Sequence, residues 1–585
     1  MSTKNLRPQV VVSSGLNLTV QTSRTLSVNV EKQKMNEVKV FLATKDIAVR
    51  ESRESGLYTL KHVVPSKWVL DPMDAESVIE YAIGRGFPGF DPEPSNVLPF
   101  IPKQFPDFSS SGVRIENRDY KTVSRPEGAL TATDSPYGIG FGYDKHNDKM
   151  TDEQWLEMMD QVQKPCVVIL PWQKAYLLVS HWGTPDDQVV WTYHSGYRGH
   201  QHRLILWFGC KPDMTRPEVG QEFVDQNGRW AKQARAKGRT LALRSHHWHI
   251  EQVMSNSKEK TPHPCQIPEE VMRLIVLSTA MPGQPIFDPF LGSGTTGVIA
   301  RRFGFPFFGT DLSPAYCQIA KDRIMAVVPP AVPVVVQPAA SNVIPFVLPQ
   351  LDDLETPDVN IINGDFRESE LPDDALYPCD PPYGIGFRYD VHNDKQTLEE
   401  WLAMMEPLRD KKCVFILPRK RTYQLAIAWG RVPDFTIPWV YHSNLPDQCR
   451  EVSWWGCKPD LTRPEVGQEY QNPEDKRIQK RIEEGHLARR YTWWLVELVK
   501  NNSKEKTKHP CQIPEELMRL IIQSTAKPGQ HICDPFLGSG TTGVVANRYG
   551  HPFSGWDISS AYVEIARERI AKNSGNDAES GKKAA

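Results

Sequence analysis

The stretch DPFLGSGTTGV occupies residues 534–544, and the same letters occur again at residues 288–298. Each copy follows a short apolar run and precedes a helical pattern, which predicts a strand, a tight turn and a helix. Glycines in such a turn let the backbone approach a ligand closely at the carboxyl edge of a parallel sheet. The stretch therefore predicts an α/β unit that occurs twice in one chain.

The repeat extends well beyond this stretch. HPCQIPEE occurs at residues 263–270 and 509–516, and SNVLPF at 95–100 is matched by SNVIPF at 341–346. The repeated order and nearly constant spacing indicate tandem duplication of one complete unit. The predicted parts are an N-terminal segment of unassigned role at 1–94, a first unit at 95–326, a Pro-rich linker at 327–340, a second unit at 341–572 and a disordered polar tail at 573–585.

The composition is that of an ordinary globular protein. The 585 residues are 39% hydrophobic and 24% charged with a net charge of -2, which excludes a uniformly basic nucleic-acid coat. Prolines interrupt the most apolar stretch, residues 324–340, so it predicts a linker and no membrane span. The ten cysteines include no C-x-x-C pair, and no His/Cys cluster has zinc spacing. We therefore predict a cytoplasmic protein with reduced cysteines and no bound metal.

Strand and helix patterns alternate within each unit. In the second unit, strands are predicted at 359–362 and 375–379, and helices at 514–524 and 541–549. This alternation predicts two tandem doubly wound, Rossmann-like domains, each with a mainly parallel sheet and helices on both faces. In the N-terminal segment we expect a mobile arm followed by a short helix at residues 74–84.

The Gly-rich turn and an acidic residue at the end of the following strand form a candidate cofactor site. An acidic side chain at that point can accept hydrogen bonds from ribose hydroxyls. Both units contain these parts. The cofactor-binding candidates are Asp534, Phe536, Gly538, Ser539, Gly540 and Asp557 in the second unit, and Asp288, Phe290, Gly292, Gly294 and Asp311 in the first.

A second motif, Asp380-Pro381-Pro382-Tyr383, follows a predicted strand and supplies the catalytic candidates of the second unit. Prolines stiffen this turn, and the Asp380 carboxylate and the Pro381 carbonyl can both accept hydrogen bonds. Two acceptors holding both hydrogens of an exocyclic base amino group would favour a pyramidal nitrogen whose lone pair faces a methyl donor. Tyr383 can stack on a base that has left the duplex.

The first unit differs at this motif, where it has Asp134-Ser135-Pro136-Tyr137. Asp134 and Tyr137 are its catalytic candidates, but one stiffening proline ring is absent. Two functional arrangements fit the difference: two active sites of unequal rate, or one catalytic unit beside a unit that mainly binds DNA. Neutral drift is the third interpretation. We predict that the first unit is the weaker catalyst.

Taken together, these motifs resemble the DNA amino-methyltransferases, which make N6-methyladenine or N4-methylcytosine. In that family the DPPY motif is catalytic, and the DPFLGSGTT-like segment binds S-adenosylmethionine. HPCQIPEE resembles the family's H-P-x-Q-K-P motif, with Ile267 and Ile513 where lysine is usual. The DPPY-first order resembles the permuted beta class, whose target-recognition region lies between the two motifs.

The resemblance covers residues 111–326 and 357–572 and leaves out 1–94. It implies S-adenosylmethionine as the cofactor, DNA as the partner and, from the acidic first letter of DPPY, adenine N6 as the favoured acceptor. The alternatives are an N4-cytosine enzyme, a methyltransferase for RNA or protein amides, and a DNA-binding protein with a degenerate methyltransferase fold.

Two further features of the sequence have more than one interpretation. Basic residues precede Trp248 in the first unit, and precede Trp493 and Trp494 in the second. Cations can contact phosphates and aromatics can stack on bases, but solvated helix faces with core tryptophans give the same pattern. The duplicated HND motif at His146 and His392 is interpreted as a loop element and not as a metal site.

Overall fold

The structure is a computed structural model of the chain. It describes five strands between residues 10 and 62 and, after them, residues 106–143, 148–194, 201–223, 226–227, 229–236, 238–328, 358–391, 394–442 and 448–580. The chain forms two compact bodies, Met1–Pro102 and Lys103–Ala585. Within the described residues, no helix combines the length and the apolar character that a membrane crossing requires.

The N-terminal body contains an antiparallel sheet with the strand order β1-β2-β3-β5-β4. Its strands are β1 Val10–Val12, β2 Leu16–Thr22, β3 Thr25–Val30, β4 Val49–Glu54 and β5 Leu57–His62. The expectation of a mobile arm is wrong where β1 to β3 form, because runs rich in Val, Leu and Thr favour strands. The helix predicted at residues 74–84 lies outside the described residues.

The first unit folds around a sheet with the order β12-β10-β11-β9-β8-β13-β14-β7-β6. Strands β9, β8, β13, β14 and β7 are parallel neighbours, and β11 runs antiparallel to β9 and β10. The strands are β6 Phe108–Ser110, β7 Val113–Glu116, β8 Leu130–Thr133, β9 Cys166–Leu170, β10 Asp187–Thr192, β11 His202–Phe208, β12 His247–His249, β13 Ile286–Asp288 and β14 Phe307–Thr310.

The second unit repeats this topology with the order β15-β22-β21-β16-β17-β19-β18-β20. Strands β15, β22, β21, β16 and β17 are parallel neighbours, and β19 is antiparallel to both β17 and β18. The strands are β15 Val359–Asn363, β16 Leu376–Cys379, β17 Lys412–Leu417, β18 Phe435–Val440, β19 Cys449–Trp455, β20 Trp494–Leu495, β21 Ile532–Asp534 and β22 Phe553–Asp557.

Matching helices accompany the two sheets. Thr151 and Thr397 begin α1 and α7 with reciprocal capping boxes, which satisfy backbone donors of the first turn. The first unit has α1 Asp152–Asp160, α2 Trp172–Trp182, α3 Arg229–Ala236, α4 Glu269–Thr279, α5 Thr295–Arg302 and α6 Pro314–Met325. The second has α7 Leu398–Met405, α8 Arg419–Trp429, α9 Lys476–Glu483, α10 Glu515–Thr525, α11 Thr541–Arg548 and α12 Ser560–Ser580.

The predicted fold class, two α/β sheets that are mainly parallel, is confirmed. In the second unit, strand β16, which precedes the catalytic motif, pairs with strand β21, which precedes the Gly-rich turn. The equivalent strands of the first unit, β8 and β13, also pair, so each sheet is completed within its own unit. Helix α12 continues to Ser580, past residue 573, at which the polar tail was predicted to begin. A polar segment can extend an existing helix at little cost once the helix has begun.

Side chains of β9 and β17 alternate between two layers, as a strand between helical layers requires. In β9, Val168 and Leu170 face a core that includes Trp155 of α1, whereas Val167 and Ile169 face one that includes helices α4 to α6. The core around Trp155 also contains residues of α7, α8 and β17. Helices α1, α2, α7 and α8 therefore lie between the sheets, and the two units share this central core.

A buried polar group lies within this shared core. The Arg419 Nε of α8 is 3.0 Å from the Glu451 carboxylate of β19, and both side chains are buried. The hydroxyl of Tyr176, from the first unit, donates to the same carboxylate. Tyr176 also contacts its counterpart Tyr423 edge-on, with ring centroids 4.9 Å apart. The junction between the units is thus a packed protein interior with a defined hydrogen-bond pattern.

Candidate active site

A cavity of about 220 Å³ lies at the carboxyl ends of β16, β21 and β22 in the second unit. Strands β16 and β21 are adjacent, as are β21 and β22, so residues that follow them meet at one sheet edge. The predicted site residues that line this cavity are Asp380, Pro382, Asp534, Phe536, Gly538, Ser539 and Asp557. The catalytic motif and the Gly-rich turn, far apart in sequence, are therefore brought together.

The Gly-rich turn needs glycine at Gly540. This residue is the N-cap of α11 and has φ of 75°, in the left-handed region that side chains disfavour. A Cβ there would lie 2.7 Å from the Cβ of Ala566 in α12, so a larger residue would push two helices apart. The turn is fixed further by Asp557, whose carboxylate accepts from Gly538 N at 2.9 Å and Ser559 N at 2.8 Å.

The Asp534 carboxylate is buried beneath the turn and holds its backbone. It accepts a hydrogen bond from Phe536 N at 3.0 Å and another from the Thr542 hydroxyl. Burial raises the pKa of Asp534 to about 6. These bonds give Asp534 a role in shaping the turn, although it also lines the cavity.

The catalytic motif forms a loop in which Asp380 and Tyr383 face each other. The Tyr383 hydroxyl donates to the Asp380 carboxylate at 2.7 Å. Burial raises the pKa of Asp380 to about 7, against the hydrogen bond from Tyr383 and the nearby charge of Arg450, which both lower it. Pro381 is buried, and the Pro382 carbonyl accepts a bond of 2.7 Å from the Trp401 indole. The loop is therefore rigid on the protein side.

The segment after this loop is held by Asp394, the last residue of the HND motif. Its buried carboxylate accepts hydrogen bonds from Gly384 N, at 3.1 Å, and from Phe387 N. Arg421 adds bonds to the carbonyls of Tyr383 and Gly384 at 2.7 and 3.3 Å. Ile385, between these anchors, is 69% exposed. Asp394 thus has a loop-structuring role, whereas His146 and His392 lie outside the described residues.

Sequence reasoning missed an arginine beside the catalytic tyrosine. Arg450 of β19 lies over the Tyr383 ring, 5.6 Å from its centroid, and its charge lowers the pKa of Asp380. Arg203 of β11 takes the same position over Tyr137, at 5.4 Å. Each arginine lies on a strand in the less repetitive part of its unit, so no motif marked it. Its recurrence at matching positions of β11 and β19 was the available signal.

The motif HPCQIPEE also contributes to the site. His509 lines the cavity, and its Nε2 would lie 3.2 Å from a Cβ on Gly538, so the ring closes one side of the turn. Its Nδ1 is buried without a hydrogen-bond partner. Burial lowers the pKa of His509 to about 4, which makes the ring neutral at pH 7. The neutral ring packs edge-on against Tyr562, with centroids 4.4 Å apart.

The first unit places its predicted residues in the same arrangement. The Tyr137 hydroxyl donates to Asp134 at 2.6 Å, and burial raises the pKa of Asp134 to about 7. Asp311 accepts from Gly292 N at 2.9 Å. Gly294 is the left-handed N-cap of α5. Asp288 accepts from Phe290 N at 3.1 Å and from the Thr296 hydroxyl at 2.6 Å.

Two local differences separate the sites. Ser135, which replaces Pro381, is buried and its hydroxyl has no hydrogen-bond partner. Thr133 donates to Asp288 at 2.7 Å, whereas the matching residue of the second unit is Cys379. The first unit therefore has an unsatisfied buried hydroxyl in its catalytic loop and an extra hydrogen bond beneath its Gly-rich turn.

The candidate DNA-contacting aromatics are mostly core residues. Trp248 and Trp494 are each 1% exposed, and Trp493 packs against the first unit. Arg244 is also part of the fold, because it donates to the carbonyls of Val219 and Gly220. A wedge role for Trp248 and Trp494 is therefore wrong. Among the residues whose side chains the structure describes, the exposed cations on or beside α3 and α9 are Lys232, Arg235, Arg239, Lys476, Lys480, Arg481 and Arg489.

Comparison with known proteins supports a single family. A family model described as DNA methylase matches residues 172–322 and 438–568, one segment in each unit. Type II methyltransferase M2.DpnII of Streptococcus pneumoniae is 49% identical over 14% of this chain and 31% of its own length. M2.LlaDCHI of Lactococcus lactis subsp. cremoris is 34% identical over 25% of this chain and 50% of its own length. M.BglII of Bacillus subtilis is 27% identical over 36% of this chain and 68% of its own length.

Among solved structures, the M1.HpyAVI–SAM complex aligns with a TM-score of 0.26 and 24% identity, covering 36% of this chain and 98% of that one. The cytosine-N4-specific PvuII DNA methyltransferase aligns with a TM-score of 0.28 and 16% identity, covering 38% of this chain and 92% of that one. The chain spans half or less of the length of the first two curated relatives. The matched segments in both units, and the three sequence relatives named above, which are type II methyltransferases, support the DNA amino-methyltransferase family.

Proposed function

We propose that this protein transfers a methyl group from S-adenosylmethionine to the exocyclic amino group of a DNA base, with adenine N6 as the favoured acceptor. The observation that carries the proposal is the cavity of the second unit, which the catalytic motif and the Gly-rich turn line together. Asp380 of the catalytic loop and Gly538 of the Gly-rich turn line it together, at the carboxyl ends of adjacent strands. The three sequence relatives named above, which are type II methyltransferases, support the same activity.

The residues around the cavity fit S-adenosylmethionine. Gly538 of the turn lines the cavity, and Asp557 ends β22, where it can accept bonds from ribose hydroxyls. The rings of Phe366 and Phe536, 5.2 Å apart edge-on, give an apolar wall for an adenine. When bound, the cofactor would supply an electrophilic methyl group on its sulfonium sulfur.

The catalytic loop can position and activate the acceptor amine. The Asp380 carboxylate and the Pro381 carbonyl accept the two amino hydrogens, and the Tyr383 ring stacks on the base. This arrangement favours a nitrogen lone pair directed at the methyl group, so catalysis rests on positioning and electrostatics. Transfer of the methyl group would form an N–C bond as the bond to the sulfonium sulfur breaks, so that the thioether leaves and the nitrogen, now positively charged, must lose a proton. Asp380, whose pKa is about 7, is placed to accept that proton.

Arg450 supports this role by keeping the carboxylate available. Burial favours the protonated form of Asp380, whereas the nearby guanidinium favours the ionised form. Because a protonated Asp380 would offer one acceptor oxygen fewer, the arginine widens the pH range in which the amine is held correctly. We assign Arg450 as a positioning residue for Asp380 and Tyr383.

The DNA is proposed to approach the face that carries the catalytic loop. Ile385, which follows the catalytic loop, is exposed, and exposed cations on α9, Lys480 among them, can contact phosphates. Ten free cysteines match a reducing compartment, and we place the activity in the cytoplasm. The acidic residue at position 380 supports adenine over cytosine.

Nucleoside analysis tests the proposal. The full chain is incubated with S-adenosylmethionine labelled in its methyl group and with unmethylated duplex DNA, and the DNA is then digested to nucleosides. We expect the label in N6-methyldeoxyadenosine. Label in N4-methyldeoxycytidine would correct the base, and label only in RNA or protein supplied in parallel would overturn DNA as the substrate.

A further inference from the structure

Three metal-ligand side chains of the first unit converge at one end of β10 and β12. His194 follows β10, His249 is the last residue of β12, and Glu251 lies just beyond it. The His194 Nδ1 is 2.6 Å from the Glu251 carboxylate and 3.1 Å from the His249 Nε2. The His249 Nε2 is 3.4 Å from the same carboxylate oxygen. Three potential donor atoms thus form a compact triangle.

This triangle has the dimensions of a tetrahedral metal site. Imidazole and carboxylate ligands bind Zn²⁺ at about 2.0–2.2 Å, so two ligands of one tetrahedral ion lie roughly 3.3 Å apart. Two of the three separations, 3.1 and 3.4 Å, agree with that value, and the third, 2.6 Å, needs a small side-chain adjustment. Two nitrogens with one carboxylate oxygen are a common donor set for zinc and related transition metals.

The surrounding groups orient the three donors. The Thr192 hydroxyl is 3.0 Å from the His249 Nδ1, so that nitrogen is engaged and Nε2 faces the cluster. The His194 backbone N–H is 3.2 Å from both carboxylate oxygens of Glu251 and donates to them.

The second unit provides an internal comparison, because it has two of the donors and not the third. His442 and Glu497 correspond to His194 and Glu251, and they make the same close contact, at 2.5 Å. Leu495 occupies the position of His249 in the strand pairing, and Val440 that of Thr192. The third donor and the hydroxyl that orients it are therefore present together in the first unit and absent together from the second.

The cluster also lies against the second unit. The Trp493 ring is 5.2 Å from the ring of His249 and 5.6 Å from that of His194, centroid to centroid. Nearby, Gln201 and Thr492 join the units through reciprocal hydrogen bonds of 3.0 and 3.1 Å. An ion held by the three side chains would fix the ends of β10 and β12 where Trp493 packs.

We propose that His194, His249 and Glu251 bind one divalent transition-metal ion of the zinc class, which holds the ends of β10 and β12 in place at the junction of the two units. The site lies outside the catalytic cavity of the second unit and uses none of the residues assigned to methyl transfer. It is independent of the proposed function.

Metal stoichiometry tests this site. Full-length protein without a histidine tag is stripped with a chelator, equilibrated with Zn²⁺, freed of unbound ion and measured by mass spectrometry of the metal. We expect one Zn²⁺ per chain for wild type and none for His249→Leu, which installs the residue of the second unit. His442→Leu is the matched control and should still bind one.

Thermal unfolding provides a second measurement. Zn²⁺ should raise the Tm of wild type and of His442→Leu by about 2 °C or more, and that of His249→Leu by less than half as much, because an ion that binds only the folded state stabilises it. Wild type without stoichiometric Zn²⁺, or equal Zn²⁺ in wild type and His249→Leu, would overturn the proposal. If wild type binds no stoichiometric Zn²⁺, the three side chains are held together by their mutual hydrogen bonds and not by a metal ion.

Discussion

The Asp380 carboxyl group must be ionised to hold the acceptor amine, but its burial disfavours the ionised form. Its pKa is raised to about 7 by burial, while Tyr383 and Arg450 favour the ionised form. Asp134 of the first unit has the same balance, with Tyr137 and Arg203. Carboxylates with pKa values near neutral pH can accept protons during turnover, which is the behaviour that the proposed mechanism requires.

Removing the Asp380 carboxylate should separate catalysis from cofactor binding. Asp380→Ala is expected to lower methyl transfer about 10²-fold or more, since it deletes a group that holds the amine. Cofactor affinity should change little, because the turn is held by Asp534 and Asp557. Transfer assays beside calorimetric titration measure both effects. Asp134→Ala is the control, and near-full activity of Asp380→Ala would assign the activity to the first unit.

The methyl-transfer rate should depend on pH through Asp380. Because the ionised carboxylate accepts the amino hydrogens and its pKa is about 7, the single-turnover rate is expected to rise up to pH about 7 and to level off above it. A profile measured from pH 6 to 9 checks this. A rate that falls steadily over the same range would show that the protonated form is the active one.

The same shift predicts a stability effect of opposite direction. The folded pKa of Asp380, about 7, exceeds the unfolded value of about 3.9, so protonation stabilises the fold and this stabilisation is lost as the pH rises through 7. Asp380→Asn removes the buried charge. It should raise the free energy of unfolding by about 1 kcal/mol or more at pH 8 and by less at pH 5. Chemical denaturation at both pH values measures the difference, and a variant less stable at pH 8 would contradict the account.

For individual residues, the sequence motifs predicted which side chains lie around the cavity but not the role of each one. Asp534 and Asp557 were chosen as cofactor contacts, and both also accept backbone hydrogen bonds that shape the turn. Arg450 was not predicted, because its approach to Tyr383 depends on the pairing of β17 with β19. Contacts made through sheet pairing leave no local pattern in the sequence.

Among the elements, the catalytic loops differ most clearly between the units. Pro381 fills a buried position in the second unit, and Ser135 fills the equivalent position with an unpaired hydroxyl. A buried hydroxyl without a partner costs free energy, and serine lacks the ring that limits backbone motion. The first-unit loop is therefore expected to hold Asp134 less firmly than the second holds Asp380.

Ser135→Pro should improve the first-unit loop. In an Asp380→Ala background, where residual product comes from the first unit, we expect methyl transfer to rise, because small displacements of reacting groups can cost about 10²-fold in rate. Residual activity with and without the substitution is the measurement. A lower rate in the Ser135→Pro protein, with its Tm unchanged, would show that the serine is needed.

Element types were predictable where hydrophobic periodicity is strong. The second-unit helices predicted at 514–524 and 541–549 agree with α10 and α11 to within a residue, since Pro514 and the glycines mark their starts. The N-terminal strands were missed although their sequences carry the strand signal. In β2 and β3, LNLTVQT and TLSVNV, apolar residues alternate with polar ones, as a half-exposed strand requires.

For the molecule as a whole, the shared core makes the two units one folded body. Arg419 and Glu451, both buried at the junction, form an ion pair, and the Tyr176 hydroxyl donates a hydrogen bond to the Glu451 carboxylate. The matching residues of the first unit are Trp172 and Leu204, so the pair is a feature of one side only. Duplication predicted two copies of the fold, but the packing between them depends on positions at which the copies differ.

Breaking this buried pair should destabilise the whole body. Glu451→Leu, which installs the residue of the first unit, leaves Arg419 buried without its partner and is expected to cost roughly 3–5 kcal/mol in free energy of unfolding. Replacing both residues, by Arg419→Met with Glu451→Leu, should recover at least half of that loss, because no uncompensated charge remains. Chemical denaturation of the three proteins measures this. A double variant no more stable than the single one would contradict it.

The central claim is that the second unit is a self-contained active site, whose Asp380 acts on cofactor bound at its own Gly-rich turn. Gly540 and Gly294 are matched positions, since both are left-handed N-caps and a Cβ on either would lie 2.7 Å from an alanine Cβ. Aspartate at either position therefore imposes the same strain and distorts one turn only.

The most direct measurement compares DNA methylation by Gly540→Asp and Gly294→Asp, with circular dichroism to show that both variants remain folded. Distorting the turn of the second unit should abolish the activity that depends on Asp380, whereas distorting that of the first should leave most of it. Loss of activity in Gly294→Asp with retention in Gly540→Asp would contradict the account and show that the catalytic loop of one unit uses the cofactor of the other.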